Sequence, residues 1–194
     1  MSFLKLLLSF SPWIAFLAIA HDTMLRVKIG LVVALALSIV LGLARINRGI
    51  ILWVGLTFFA LAFVALAIFE NLWVLRHMGV LANGALAVGA WLTLLLGKPF
   101  TLDYAKAHVD RALWTDPRFI RSNRVITAVW ATAFTANSAF AYVKMHEAAG
   151  PGLVWQLAGY GFLVGAAVFT NWYPAYLRRT RIAAAQEEGG PPSR

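Results

Sequence analysis

Residues 97–124 read GKPFTLDYAKAHVDRALWTDPRFIRSNR. They hold six of the chain's seventeen Lys and Arg and three of its eight carboxylates, although only 13% of the 194 residues are charged. A stretch this polar does not cross hydrocarbon, and it is too long for a plain turn. Apolar runs lie on both sides of it, so its placement sets the architecture.

From Thr101 the stretch predicts an amphipathic helix. Leu102, Ala105, Val109, Ala112 and Leu113 recur on one face, with Asp103, Lys106, Asp110 and Arg111 around the rest. Thr101 suits an N-cap, and Asp103 is favourable in the first turn. Asp116 and Pro117 then open a new helix. Such a helix beside a membrane lies in the interface, with Trp114 and Phe119 at headgroup depth.

The composition supports a bilayer. Hydrophobic residues make up 61% of the chain, against about 45–50% in soluble domains. The net charge of +9 would suggest nucleic acid in a soluble protein. Here the cations flank apolar runs, which reads as membrane orientation, and no nucleic-acid partner is expected. The absence of Cys excludes disulfides, thiolate metal sites and Cys nucleophiles. Eight Trp and thirteen Phe supply anchors for lipid–water boundaries.

Six runs read as spans: 6–20, 29–44, 49–69, 78–96, 125–143 and 153–172. The expected fold is therefore all-α, one transmembrane domain over 1–180 with an interfacial segment at 97–124 and a flexible tail at 181–194. The first two runs are short, and Ser9, Ser11 and Pro12 interrupt the first. That pair can instead form a hairpin that dips in and returns, with the same parity. Lys5, the apolar run and "AIA" before His21 also resemble a cleavable signal peptide, but the segment is read as a span. With the N-terminus inside, thirteen cations lie on inner segments and four (Arg26, Lys28, Arg76, Lys144) on outer loops. Both termini are therefore expected in the cytoplasm. A weak repeat at an offset of seventy-six pairs Arg45, Asn47 and Arg48 with Arg121, Asn123 and Arg124.

Helices in lipid approach closely through small residues. Gly30, Ala34, Ser38 and Gly42 form one such stripe, Ala128, Thr132 and Ala136 a second, and Gly161 and Gly165 a GxxxG. Internal packing is the plain reading of these, and a homo-oligomer seam the alternative.

Candidates for chemistry are few. His21, Asp22, Glu70, His77, His146 and Glu147 collect on the outer loops. His21, His77 and His146 are weak metal candidates, but no fixed ligand spacing supports them, so no metal is expected. The span cores carry no charge, and Asn83 and Asn137 are the notable polar groups at depth. Interhelical hydrogen bonding accounts for them, while a functional reading places them around a polar substrate. No span holds a His pair for haem, and phosphate loops and nucleophile elbows are missing, so neither a cofactor nor a catalytic residue is assigned. The inner segments carry Arg45, Arg48, Lys98, Arg118, Arg121 and Arg124 with Tyr104 and Trp114, a belt able to hold anionic headgroups.

The order of features resembles a known family. FSPWIAFLAIAHD from Phe10, FEN closing the third span, GKPF after the fourth and NRVITAVWATAF opening the fifth are similar to the intracellular septation protein A family of bacterial inner-membrane proteins. That family's Pro in the first span, Asn after the third, Lys and Pro after the fourth, and Asn and Trp entering the fifth correspond here to Pro12, Asn71, Lys98, Pro99, Asn123 and Trp130. The resemblance covers roughly residues 10 to 180 by scattered positions, and the insert FTLDYAKAHVDRALWTDPRFI departs from it. It implies a small protein of the cytoplasmic membrane, tied to envelope synthesis and septation through other membrane proteins, with no catalytic residues to carry over.

The resulting expectation is a structural or interaction component of the envelope. Its inner-face site comprises Lys98, Pro99, Thr101, Tyr104, Trp114, Pro117, Arg121, Asn123 and Arg124, docking the interfacial helix and binding headgroups or a membrane partner. Two rivals stand beside it. A transporter or channel for a small or lipidic molecule needs a polar cavity near Asn83 and Asn137. A membrane enzyme acting on lipid or quinone needs converging His and carboxylates.

Overall fold

The computed structural model describes residues 8–20, 23–44, 49–106, 109–146 and 152–188, with side chains of the last helix described to Thr180. Among these residues every regular element is helical. In chain order they are α1 (Ser11–Ile19), α2 (Met24–Leu43), α3 (Ile50–Phe63, continued as a π-helix over Val64–Ile68), α4 (Leu72–Arg76), α5 (Met78–Leu95), α6 (Thr101–Lys106), a 3₁₀ turn (Arg111–Leu113), α7 (Pro117–His146) and α8 (Gly152–Glu188).

Four of these are long and apolar enough to cross a membrane: α2, α3 with its π extension, α5, and α8 to Thr180. Six were expected from the sequence. In the first segment α1 is nine residues, about 14 Å, against a hydrocarbon core of about 30 Å. The fifth, α7, is thirty residues long, about 45 Å, but too polar to qualify. Its polar groups are used inside the bundle. Ser138 donates to the Val80 carbonyl at 3.0 Å, Thr135 accepts from Trp91 Nε1 at 3.1 Å, and Asn137 donates to the Gly159 carbonyl at 3.2 Å.

Helix ends differ from the expected bounds for local reasons. Thr23 caps α2 by accepting from the Arg26 amide, so the helix begins before Ile29 and takes Arg26 and Lys28 into its first turns. Lys28 then reaches Glu70 at 3.4 Å, joining the start of α2 to the end of α3. Glu70 ends the π-helix in the left-handed region at φ +46, and Asn71 starts α4, which the sequence reading lacked, by accepting from the Val74 amide. α8 continues through Pro174 to Glu188, eight residues into the segment read as a tail.

Packing runs α2–α3–α5–α7–α8, with α1 on α2 and α6 on α7. α1 packs one face, with Pro12, Trp13 and Phe16, against this row. Phe10 stacks on Trp130 at 5.7 Å and meets Phe100 and Phe134, while Trp13 lies 4.6 Å from Phe59 and 5.2 Å from Phe58. These rings were read as boundary anchors, yet Trp13, Phe59, Trp130 and Phe134 form the core. Outward faces are apolar instead: Val88, Leu61 and Val168 each stand more than 60% exposed, as expected where the surroundings are lipid.

The small-residue stripes divide. Gly30, Ala34 and Ser38 are buried, and a Cβ on Gly30 would lie 3.2 Å from Ala20 Cβ. Gly161 and Gly165 face outward, with nothing within 4 Å of an added Cβ. They line a shallow groove with Ala128 and Thr132.

Candidate functional site

The polar segment starts at the end of α5. Gly97, at φ +70, donates to the Leu94 carbonyl, and Lys98 donates to that of Thr93. This is a Schellman closure, with Pro99 placed where the helix cannot resume. Thr93 then bridges: its hydroxyl donates to Ala90 at 2.7 Å and accepts from the Phe100 amide at 3.3 Å.

The expected amphipathic helix is shorter and differently set. Among the described residues of that expected helix only Thr101–Lys106 is α-helical, Ala107 and His108 lie outside them, and Arg111–Leu113 is a separate 3₁₀ turn started by Asp110. Leu102, Tyr104 and Ala105 are buried, whereas Ala112 and Leu113 are exposed, so no single apolar stripe lies on a headgroup plane. Tertiary burial replaces it.

Thr101 does not act as an N-cap. Its hydroxyl donates to the Asn123 carbonyl of α7 at 3.0 Å and lies 2.8 Å from Thr127 Oγ1. Because Thr101 has one hydroxyl proton, Thr127 donates the second bond. All three residues are buried, Thr101 and Thr127 at 0% exposure. Asn123 Nδ2 donates to the Phe119 carbonyl at 2.9 Å, which fixes the amide orientation and leaves Oδ1 buried without a protein partner. Tyr104 bonds the Ser9 side chain, and burial pushes its phenol up to about 12, the Ser9 bond opposing. Burial also raises the Asp103 carboxyl, against the Lys106 ammonium.

The nine expected site residues therefore separate by role. Pro99, Thr101, Tyr104 and Asn123 are buried and hold the segment on α7 and α1. Lys98, Pro117, Arg121 and Arg124 are exposed. Trp114 lies between: its Nε1 donates to the Val109 carbonyl, and Lys106 and Arg111 sit over its ring at 5.5 and 5.7 Å. Asp116 opens α7 as expected, accepting from the Arg118 amide at 2.7 Å. Arg45 and Arg48 lie outside the described residues.

One cavity adjoins this segment and a second lies beyond it in the bundle. The first, of about 460 Å³, lies between α6, the 3₁₀ turn and the facing ends of α7 and α8. Arg118, Arg178 and Asp116 line it together with Asn123 and Ile126. The second, of about 290 Å³, lies deeper, between α1, α5, α7 and α8. Its wall is apolar apart from Asn83, whose Nδ2 is bonded to Gly79 at 2.8 Å. Sequence reasoning missed both cavities and Arg178. Asn137 does not join Asn83, being bonded to Ala133 and Gly159.

Among the described residues the far end holds no comparable assembly. His77 Nδ1 pairs with the Trp73 carbonyl at 2.8 Å and His146 Nδ1 with that of Tyr142 at 2.9 Å, each within its own helical turn. His21, Asp22 and Glu147 fall outside the described residues, and among the described ones no group of three His or carboxylates is placed to hold a metal. Comparison with protein-family models, with curated proteins and with solved structures finds no match.

Proposed function

We propose that the chain is a multi-pass protein of a bacterial cytoplasmic membrane, similar in role to the septation protein A family. In this reading the polypeptide crosses six times with both termini in the cytoplasm, the short first segment and the polar α7 completing the count. Its work is to hold a basic cytoplasmic face against anionic headgroups and neighbouring envelope proteins.

The observation that carries this is the division of the basic end into a buried frame and an exposed charge set. Thr101, Thr127 and Asn123 fix the segment from within, while Lys98, Arg118, Arg121 and Arg124 are all exposed. A loop that served only as a connector would not need three buried polar residues to set its position. Anionic headgroups gather such cations at about 1 kcal/mol each.

The charge-reversed variant Arg121→Glu with Arg124→Glu tests the face. Anionic lipid co-purifying with the chain should fall relative to zwitterionic lipid, and an unchanged ratio removes the headgroup role. Deletion of the gene tests the envelope role: normal septation and an intact envelope in its absence would exclude it. Topology is directly accessible, since the chain has no native Cys. A Cys at Thr115 should react with an impermeant maleimide only from the cytoplasmic side.

A further inference from the structure

The two cavities follow one face of each helix that separates them. On α7 that face runs Asn123, Ile126, Trp130, Phe134, in steps of three and four. On α8 it runs Leu163, Ala167, Thr170, Pro174, Arg178 with the same steps. Ile126 lines the lower cavity and Trp130 the upper, one turn or about 6 Å apart. Between them the Trp130 indole and Thr170 are packed together, joined by a hydrogen bond from Nε1 to Oγ1 at 2.9 Å, and Ile126, Trp130 and Thr170 are all buried.

The ends of this path differ in chemistry. At the lower end Arg118 and Arg178 outnumber Asp116, leaving a net positive charge, and the buried Asn123 Oδ1 has no protein donor. The upper cavity is walled by Phe134, Leu163, Ala167 and the rings of α1. Its mouth is at Ile14 and Leu17, 49% and 53% exposed on the apolar outer surface. From Asn123 to Phe134 the path climbs eleven residues, about 16 Å, and half a hydrocarbon core is about 15 Å.

We propose that the two cavities are one binding site for a single anionic glycerophospholipid. Its phosphate lies between Arg118 and Arg178, a headgroup hydroxyl donates to Asn123 Oδ1, and one acyl chain passes the Trp130–Thr170 bond into the upper cavity. The charges match, since a phosphodiester carries one negative charge against the net positive rim. The hydroxyl supplies what the phosphate lacks, a proton for a buried acceptor whose amide cannot turn over. This assignment deepens the headgroup reading given above and rests on it.

The test uses the full chain in phosphatidylcholine nanodiscs doped with dioleoyl phosphatidylglycerol, with retained lipid counted by native mass spectrometry after gentle release. One phosphatidylglycerol per chain should be retained in preference to phosphatidylcholine. Arg118→Glu with Arg178→Glu should cut that retention roughly tenfold, equivalent to about 1.4 kcal/mol. Ala167→Phe, and independently Ile14→Trp at the mouth, should weaken retention of the dioleoyl lipid while leaving capture of dihexanoyl phosphatidylglycerol unchanged. Full dioleoyl retention in both cavity variants would overturn the single-lipid site yet leave headgroup contact standing. Full retention in the charge-reversed variant would overturn the site. If Arg121→Glu with Arg124→Glu also leaves the bulk lipid ratio unchanged, the headgroup reading falls with it. Equal retention of phosphatidylcholine would overturn the anionic assignment.

Discussion

At the basic end Thr101, Thr127 and Tyr104 bond across element boundaries, whereas at the opposite end His77 and His146 each bond a carbonyl four residues back on their own helix. Among the described residues, Lys28 to Glu70 at 3.4 Å and Lys144 to Gln156 at 3.1 Å are exposed links between elements at that far end, and Ser138 to the Val80 carbonyl at 3.0 Å is a part-buried one. A bond that closes within one helical turn survives movement of that helix, and a bond between elements does not. The basic end is thus held by buried bonds between elements, while the far-end bonds among the described residues are exposed, part-buried or closed within one helix.

Breaking the contrast should be most costly at Thr101. Thr101→Val leaves the buried Thr127 hydroxyl without its partner and the Asn123 carbonyl with its helical bond alone, and should lower stability by about 2 kcal/mol, read as thermal unfolding in detergent. A loss below that of a surface substitution would mean the network does not hold the segment.

Tyr104 sharpens the same point through pH. Its folded phenol stays neutral up to about 12, against an ordinary value of 10. Below pH 10 both states are neutral and no stability is lost. Between pH 10 and 12 the unfolded chain ionises first, so stability should fall by about 2 kcal/mol across that window. Tyr104→Phe should remove this part of the alkaline loss, and an identical pH profile for the variant would show that the loss arises elsewhere.

The far end should respond least. Glu70→Gln, which breaks an exposed ion pair, should cost under about 0.5 kcal/mol. His77→Ala and His146→Ala should stay within a similar range, with zinc producing no shift in unfolding temperature. A stabilising zinc effect lost in either variant would give the far end a site it lacks among the described residues.

The sequence made some of this readable. α5 ends at Leu95, one residue from its expected bound, because Gly97 and Pro99 mark the stop locally. The fifth span was bounded at Val125 because Arg118, Arg121 and Arg124 raise the polarity before it. The helix that Asp116 and Pro117 open nonetheless runs through them unbroken, since cations at a helix end extend into the interface without ending it. The helix from Thr101 stopped early because Leu102 and Ala105 are claimed by the bundle, which periodicity cannot distinguish from a membrane-facing stripe. Trp13 and Trp130 are the same residue type as lipid anchors, and only contacts with Phe59 and Phe10 make them core. Of the site, the exposed cations were legible as charge between apolar runs. The cavities were not, since each is assembled from distant segments.

α8 packs principally on α7, and 11% of its most apolar stretch is buried, less than in the other three apolar spans. It also leaves the ribosome after α7. Until it arrives, the walls made by Leu163, Ala167 and Arg178 are missing, and the face of α7 between Asn123 and Phe134 stands open to the bilayer. The order of synthesis therefore allows whatever fills that face to settle before its cover is laid, so occupancy can be fixed once, at the birth of the molecule, and need not depend on later exchange.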